Sequence, residues 1–206
     1  MSAVQNNVVQ GGLHLGGALQ HLVSKYPTLL AVIKEQVQNS IDKKAKNITV
    51  RVDFDRREVE HLDNGEGADK TFSDKALGSI GQSTKKTDQY GRFGIGLVAP
   101  LSVCDRYTFT STTYEQSYYL TWTFDRRKLF DSKDSFQFLH STNRFIHHAS
   151  KPASVRGSQQ VWWTTQVMMR GLTEDKKKSE LDLDNLSHEI QSEFSKKMLE
   201  LGISVT

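Results

Sequence analysis

The fold is decided by residues 28–54, which read TLLAVIKEQVQNSIDKKAKNITVRVDF. In the first part of this stretch, apolar residues recur at spacings of three and four. This spacing predicts a helix over residues 28–46, with Thr28 as its capping residue. The second part alternates apolar and polar residues, which predicts a half-buried strand over residues 48–54. We therefore expect the apolar face of the helix to pack on a sheet.

The rest of the chain extends this pattern outward. A second strand ends at Leu62, and from residue 106 onward strand-forming residues dominate. Residues 131–152 give no clear prediction. A helix, two strands, further helices and a run of strands are typical of an α+β fold, a two-layer sandwich of a mostly antiparallel mixed sheet with helices on one face. The other predicted elements are a weak helix over residues 18–25, helices over 71–80, 94–103 and 181–201, and strands over 107–110, 118–124 and 160–167.

Composition is that of a globular protein that does not span a membrane. The 206 residues are 36% hydrophobic and 25% charged, and the formal charge of +3 is too small to argue for nucleic acid, which stays open as a partner. The apolar runs are too short for a bilayer, and the N-terminus lacks signal-peptide regions. The single cysteine, Cys104, fits a reducing, intracellular and therefore cytoplasmic location. We expect one domain with an N-terminal arm over residues 1–172 and a charged helical appendage over residues 173–206.

Three polar side chains share one face of the first predicted helix. Glu35, Asn39 and Asp42 are spaced by four and three residues, so they fall within roughly 60° of arc, opposite the apolar stripe. The face presents a carboxylate, an amide and a second carboxylate. Any amphipathic helix at a protein surface has such a face, so the triplet alone does not establish a site.

A glycine-rich turn, Asp63-Asn-Gly-Glu-Gly67, follows the second predicted strand. The carboxylate of Asp63 could accept a hydrogen bond from the exocyclic amine of adenine, and it would disfavour guanine, which has a carbonyl oxygen at that edge. Gly65 and Gly67 would let the backbone approach a flat base closely. The alternative interpretation is an ordinary glycine turn.

A second glycine cluster, Gly91-Arg-Phe-Gly-Ile-Gly96, leads into the predicted helix over residues 94–103. It has neither the Rossmann spacing nor a Walker A sequence. Glycines that open a helix nevertheless expose backbone N–H groups, and these groups together with the positive helix end attract a phosphate. Taken alone, the cluster is a weak indication.

In this order and at this spacing, the three features resemble the GHKL ATPase superfamily, which binds ATP in a Bergerat fold. The superfamily includes the DNA gyrase B subunit, the large heat-shock chaperone, histidine kinases and MutL. The resemblance covers roughly residues 18–170. The matching segments are residues 35–42 (the N-box), 63–67 and 91–96 (the two glycine boxes), and 77–83 with 91–105, which are most similar to the heat-shock chaperone and MORC branch.

The resemblance implies a role for each candidate residue. Glu35 would be the general base that deprotonates the attacking water, and Asn39 would bind Mg²⁺ through its side-chain oxygen. Asp42 would shape the pocket floor beside Asp63, and Ser158 would support Asp63 from behind. The glycine-loop backbone would hold phosphate oxygens, and a lid would close over them. The remaining implied ATP-binding residues are Gly65, Gly67, Ser83, Lys85 and Lys86 of the lid, and Gly91, Arg92, Phe93, Gly94, Ile95, Gly96 and Leu97.

Three features depart from the family pattern. Ala68 stands where the chaperones have a methionine against adenine, and Lys43 stands where many relatives have alanine. The lid between Ser83 and Gly91 is only about seven residues long, shorter than in the chaperones. These departures affect how the base edge is packed and how fully the lid closes.

The function implied by the resemblance is an ATPase that changes conformation with its nucleotide, with ATP and Mg²⁺ as cofactors. Such enzymes also need a lysine or arginine from a following domain at the γ-phosphate, and only about forty residues follow the last predicted strand. We therefore expect slow hydrolysis by this chain alone. The chain would be a fragment of a longer protein, or a protein partner, including a nucleotide-dependent homodimer, would complete the site. Two alternatives stay open: an ATP-binding-only regulatory module and a histidine-kinase-type catalytic domain.

Overall fold

The computed structural model describes residues 4–10, 15–69, 71, 96–116, 118–131, 135–144, 153–156, 159–173 and 183–205. The described helices are α1 (Leu15–Val23), α2 (Leu29–Asp42), α3 (Arg126–Phe130) and α4 (Leu183–Leu201), with a 3₁₀ helix at Ala99–Ser102. The described strands are β1 (Val4–Gln10), β2 (Asn47–Asp53), β3 (Glu58–Asp63), β4 (Cys104–Ser111), β5 (Tyr118–Asp125), β6 (Ser135–Arg144), β7 (Ala153–Arg156), β8 (Gln159–Trp162), β9 (Thr165–Leu172) and β10 (Ser204–Val205).

Eight of these strands form one sheet in the order β1-β6-β5-β4-β9-β3-β2-β10, and β7 pairs with β8 separately. Within the large sheet the pairs are antiparallel except for the parallel pair of β10 and β2 at one edge. Apolar side chains of the four helices cluster against one face of this sheet. The predicted α+β sandwich with a mostly antiparallel mixed sheet is therefore confirmed.

Helix α2 begins where the sequence predicts. The hydroxyl of Thr28 accepts a hydrogen bond from the backbone N–H of Ala31 at 3.1 Å, which satisfies one of the unpaired donors of the first turn. The buried residues Ile33, Val37 and Ile41 turn the apolar stripe toward the sheet. The polar face with Glu35 is thereby left for the site.

The end of α2 differs from the prediction, because the helix stops at Asp42 rather than at residue 46. Lys44 has a left-handed φ of 59°, and the N–H of Ala45 bonds back to the carbonyl of Ser40 at 3.0 Å. This is the geometry of a Schellman cap. Ala45 follows as a fully buried residue and joins the core. A helix end set by a non-glycine residue has no clear sequence signal.

The helix predicted over residues 94–103 is wrong for its described part. Residues 96–98 form a turn, and a 3₁₀ helix follows at Ala99–Ser102. An α-helix here would need Pro100 to donate to the carbonyl of Gly96, and proline has no N–H. The observed bonds instead span three residues, as from Leu101 to Val98 at 3.0 Å.

The single strand predicted over residues 160–167 is also wrong, because it consists of two strands in different sheets. β8 ends at Trp162 and β9 starts at Thr165. Between them Trp163 is buried, and Thr164 bonds to neighbouring segments rather than continuing a ladder. Strand-forming residues continue without interruption from Val161 to Thr165, so residue propensity does not reveal the break.

The other elements agree with the sequence to within a few residues or lay outside any prediction. The weak N-terminal helix is α1, and the charged C-terminal helix is α4. β6 falls in the stretch without a prediction, and it pairs with β1 of the N-terminal arm. The helix predicted over residues 71–80 lies outside the described residues except for Thr71. Within the described part of the chain, no helix is both long and apolar enough to cross a bilayer.

Candidate functional site

Glu35 and Asn39 of α2 lie directly against the end of the glycine loop. A Cβ atom added to Gly96 would overlap Glu35 Oε1 and would lie 3.0 Å from Asn39 Nδ2. The carbonyl of Gly96 accepts a hydrogen bond from the side-chain amide of Gln36 at 3.4 Å. The fold therefore brings the carboxylate and amide of the first motif to the backbone of the third, 57 or more residues later in the chain.

Tyr26, in the turn before α2, contacts the carboxylate of Glu35. The tyrosine side chain is hydrogen-bonded to Glu35. Burial and, after it, the negative charge of Glu35 raise the pKa of Tyr26 well above its usual value, so its hydroxyl keeps its proton and serves as the donor. This residue was missed in the sequence. Its signal would have been a tyrosine two residues before the Thr28 cap, which is not specific.

The carboxylate of Asp63 is buried at the end of β3, and its two oxygens have different donors. Oδ1 accepts the backbone N–H of Gly65 at 2.9 Å, and Oδ2 accepts the hydroxyl of Ser40 at 2.8 Å. Burial raises the pKa of Asp63 to about 6, while these two hydrogen bonds and the charge of Lys43 act in the opposite direction. Asp63 is therefore a carboxylate near neutral pH whose remaining lone pairs can accept further hydrogen bonds.

The turn after Asp63 lies in close contact with three other segments. The N–H of Glu66 donates to the carbonyl of Lys43 at 2.8 Å, and the hydroxyl of Thr164 donates to the carbonyl of Gly65 at 2.7 Å. Gly67 has a left-handed φ of 71°, and a Cβ there would overlap the carbonyl oxygen of Thr112. Both glycines of this turn are thus required by close backbone contacts.

Four polar residues around Asp63 were missed by sequence reasoning. Ser40 and His61 lie on its α2 side, and Thr165 pairs with Asp63 in the ladder between β3 and β9. Thr164 bonds the carbonyl of Asp63 through its N–H at 2.8 Å. Ser158, expected in this supporting role, lies outside the described residues. Thr164, directly before β9, and Thr165, its first residue, are described hydroxyl residues at that place.

Asp42 has a definite set of contacts on the side of α2 that faces α4. Its Oδ1 accepts the side-chain amide of Gln38 at 2.7 Å and lies 3.8 Å from the ammonium of Lys197. Its role at the pocket floor beside Asp63 stays a prediction.

Most of the expected phosphate-binding residues lie outside the described part of the chain. Of the glycine loop, Gly96 and Leu97 are described, and the carbonyl of Leu97 accepts the hydroxyl of Tyr107. The predicted site residues outside the described part of the chain are Ser83, Lys85, Lys86, Gly91, Arg92, Phe93, Gly94, Ile95 and Ser158. Their roles stay predictions.

Among the described residues, no group of three or more histidine, cysteine, aspartate or glutamate side chains is placed to hold a metal ion. Burial raises the pKa of Cys104 to about 12, so this thiol stays protonated within the core. Asn39 next to Glu35 offers an oxygen of the kind that suits a cation whose other ligands are waters and phosphates.

Comparison with known proteins assigns the chain to a family. Residues 27–151, more than half of the chain, match the family described as Histidine kinase-, DNA gyrase B-, and HSP90-like ATPase. The match includes α2, Asp63 and Gly96, which the fold brings into the site. No curated protein shows significant similarity to the chain.

We predict that Gly67→Ala destabilises the protein strongly. The substitution adds left-handed strain and a clash with Thr112, and we expect a loss of about 3 kcal/mol or more in the free energy of unfolding, measured by urea denaturation. Gly202→Ala is the matched control, because Gly202 has a φ of 62° with open space around it. It should lose only about 1 kcal/mol. Equal losses in the two variants would contradict the close contact.

We also predict that Asp63→Asn makes stability more sensitive to acid. The pKa of Asp63 is raised to about 6, so its contribution to stability is present at low pH and is lost as pH rises through 6. Burial lowers the pKa of His61 to about 4, so its contribution is lost as pH falls from 6.5 to 4. In wild type the two effects oppose each other. As pH falls from 6.5 to 4, the free energy of unfolding of Asp63→Asn should decrease by about 3 kcal/mol more than that of wild type. Denaturation at each pH measures this difference. Parallel curves for the two proteins would refute this assignment.

Proposed function

The chain belongs to the histidine kinase-, DNA gyrase B- and HSP90-like ATPase family, and we propose that it binds ATP and hydrolyses it slowly with Mg²⁺, as a conformational switch like that of the heat-shock chaperones and MORC proteins. One observation carries the proposal. Helix α2 presents Glu35 and Asn39 to the glycine loop at Gly96 and, at the next residue, holds the buried carboxylate of Asp63 through Ser40. A single helix thus connects the proposed phosphate-binding loop to the proposed adenine-binding residue.

Base recognition in this proposal depends on Asp63. Its unused lone pairs would accept the exocyclic amine of adenine, while the carbonyl oxygen of guanine would be repelled. Gly65 and Gly67 keep side chains away from the flat face of the base. The small, buried side chain of Ala68 leaves room at the adjoining wall.

Phosphate binding in this proposal uses the glycine loop and one metal ligand. The backbone N–H groups of residues 91–97 would hold phosphate oxygens, with Ser83, Lys85 and Lys86 closing over them. Asn39 would hold Mg²⁺ through its side-chain oxygen, and the ion would neutralise charge on the phosphates when bound. The position of Asn39 beside Gly96 fits this role.

Hydrolysis in this proposal is assigned to Glu35. Its carboxylate would orient and deprotonate the attacking water, and Tyr26 would hold the carboxylate in place. Turnover by the chain alone would be slow, because hydrolysis also needs a cation at the γ-phosphate. We expect that cation from a protein partner, a further domain or a second copy of the chain in a nucleotide-dependent dimer.

Calorimetric titration of ATP, ADP and GTP with Mg²⁺ tests the binding proposal. We expect wild type to bind ATP and ADP more tightly than GTP, and Asp63→Asn to lose ATP affinity by about tenfold or more, because a hydrogen bond to a charged acceptor is lost. Asp131→Asn is the control, since Asp131 is exposed after α3. Equal affinity of wild type for ATP and GTP would refute the proposed role of Asp63. Failure of wild type to bind any of the three nucleotides would refute the proposed function.

Turnover measurements test the role of Glu35. Glu35→Gln should bind ATP within about threefold of wild type and lose turnover by about a hundredfold or more, because the general base is removed. Tyr26→Phe should lower kcat with little change in KM, by a smaller factor. Glu200→Gln, which alters an exposed carboxylate at the end of α4, should behave as wild type. Unchanged kcat in Glu35→Gln would mean that Glu35 is not the base and would favour an ATP-binding-only module.

A further inference from the structure

The hydroxyl of Ser40 lies between His61 and Asp63 inside the protein. Ser40 Oγ is 2.8 Å from His61 Nε2 and 2.8 Å from Asp63 Oδ2, with the carbonyl of Gln36 at 3.1 Å. The three residues are 2%, 2% and 5% exposed in the order Ser40, His61, Asp63. His61 and Asp63 are two apart on β3, so both side chains point to the same face of the sheet, toward α2.

The hydrogen-bond partners of His61, Ser40 and Asp63 determine which atoms of this cluster carry the protons. Burial lowers the pKa of His61 to about 4, so the ring is neutral and carries one N–H. His61 Nδ1 is buried and has no hydrogen-bond partner among the described residues. A proton on Nδ1 would be a buried donor without an acceptor, whereas a proton on Nε2 is donated to Ser40 Oγ. The Nε2–H tautomer is therefore favoured.

The single proton of Ser40 then has two possible acceptors. Asp63 Oδ2 is closer than the carbonyl of Gln36, and an ionised acceptor makes the stronger bond. The two hydrogen bonds of the cluster therefore run in one direction: His61 donates to Ser40, and Ser40 donates to Asp63. A proton arriving on Asp63 Oδ2 would meet the Ser40 hydroxyl as a second donor and would force this order to reverse.

We propose that His61 and Ser40 are specificity-determining residues, which by this directed pair of hydrogen bonds hold Asp63 as an acceptor and so select 6-amino over 6-oxo purine nucleotides. The proposal rests on the proposed function, because it assumes that the base meets Asp63. With Asp63 ionised, its free lone pairs accept from a 6-amino group and repel a 6-oxo group. A protonated Asp63 could donate to a 6-oxo group, and the selectivity would weaken.

The pH at which selectivity is lost is set by the groups that face Asp63. Burial raises its pKa to about 6, and the N–H of Gly65, the hydroxyl of Ser40 and the charge of Lys43 each oppose that rise. His61 is the other titratable group in the cluster, and it is neutral through this range. Removing the Ser40 hydroxyl takes away one stabilising donor, so Asp63 should take up a proton at higher pH.

Titrations of ATP and ITP between pH 5 and pH 8 test the proposal, because ITP differs from ATP at the 6-position without the 2-amino group of GTP. Wild type should prefer ATP by about tenfold at pH 8 and lose that preference below pH 6. In Ser40→Ala the preference for ATP over ITP at pH 7 should fall several-fold, and the pH at which half of that preference is lost should rise by about one pH unit. Ser40→Thr should restore the preference. Ser102→Ala, which removes a hydroxyl bonded within the 3₁₀ helix, should match wild type.

Imidazole nitrogen NMR of the wild-type protein gives a second test that does not need a folded variant. The ring of His61, identified by sequential resonance assignment of the wild-type protein, should carry its proton on Nε2 at pH 7. A proton on Nδ1 would overturn the proposal. So would an ATP to ITP ratio in Ser40→Ala equal to that of wild type at every pH, with wild type itself selective; that result would leave the proposed function standing. Failure of wild type to bind either nucleotide would overturn both.

Discussion

The burial of the Asp63 carboxylate at the junction of α2 and β3 constrains the geometry of the whole site. An isolated ionised carboxylate is very costly to remove from water, and it becomes tolerable when donors surround it. Two donors come from fixed places, the hydroxyl of Ser40 on α2 and the N–H of Gly65 on the turn. The Gly65 bond forms within the turn, whereas the Ser40 bond forms only if α2 has one rotation and one height over the sheet. The same rotation directs Glu35 and Asn39 toward Gly96.

Helix α2 is held in that position from two sides. Its apolar stripe packs on the sheet, and α4 covers it with the buried side chains of Leu186, Ile190 and Phe194. Lys34 also bridges Glu189 and Glu193 of α4 at 2.7 and 2.9 Å. Such partly exposed ion pairs contribute little, about 0–1 kcal/mol each, so the apolar contacts carry most of the docking energy. The C-terminal segment, which the sequence suggests only as a charged appendage, is therefore part of the structural support for the site.

The sequence predicts those parts of the molecule that local patterns encode. The periodicity of residues 28–54 places α2 and β2 to within a few residues, and the order of the motifs is enough to single out Glu35, Asn39, Asp63 and Gly67 as candidates. The sequence-based predictions fail where the local structure depends on a single residue or on a partner distant in the sequence. Pro100 converts an expected helix into a 3₁₀ turn, and strand-forming residues continue through the break between β8 and β9.

Long-range partners explain what the motifs miss in the site. Ser40 meets Asp63 across 23 residues, and Thr164 meets Gly65 across 99. Neither serine nor threonine has a distinctive local pattern, so only the folded chain shows their roles. The pairing of β1 with β6 has the same origin, since the polar Asn6 and Asn7 break any alternation.

The glycine turn shows why this site is rigid before a ligand arrives. Gly65 lies so close to Lys43 that a Cβ would come within 2.6 Å of its carbonyl oxygen, and Gly67 has no room beside Thr112. The backbone groups of the turn are bonded to α2, β4 and the segment before β9, so the turn cannot shift without breaking bonds in several elements. In the proposed function, a base acceptor on such a turn would discriminate by what it can accept, because rearrangement to suit a wrong base would cost those bonds. The direction of the protons around Asp63 would then matter more for selectivity than the shape of the site.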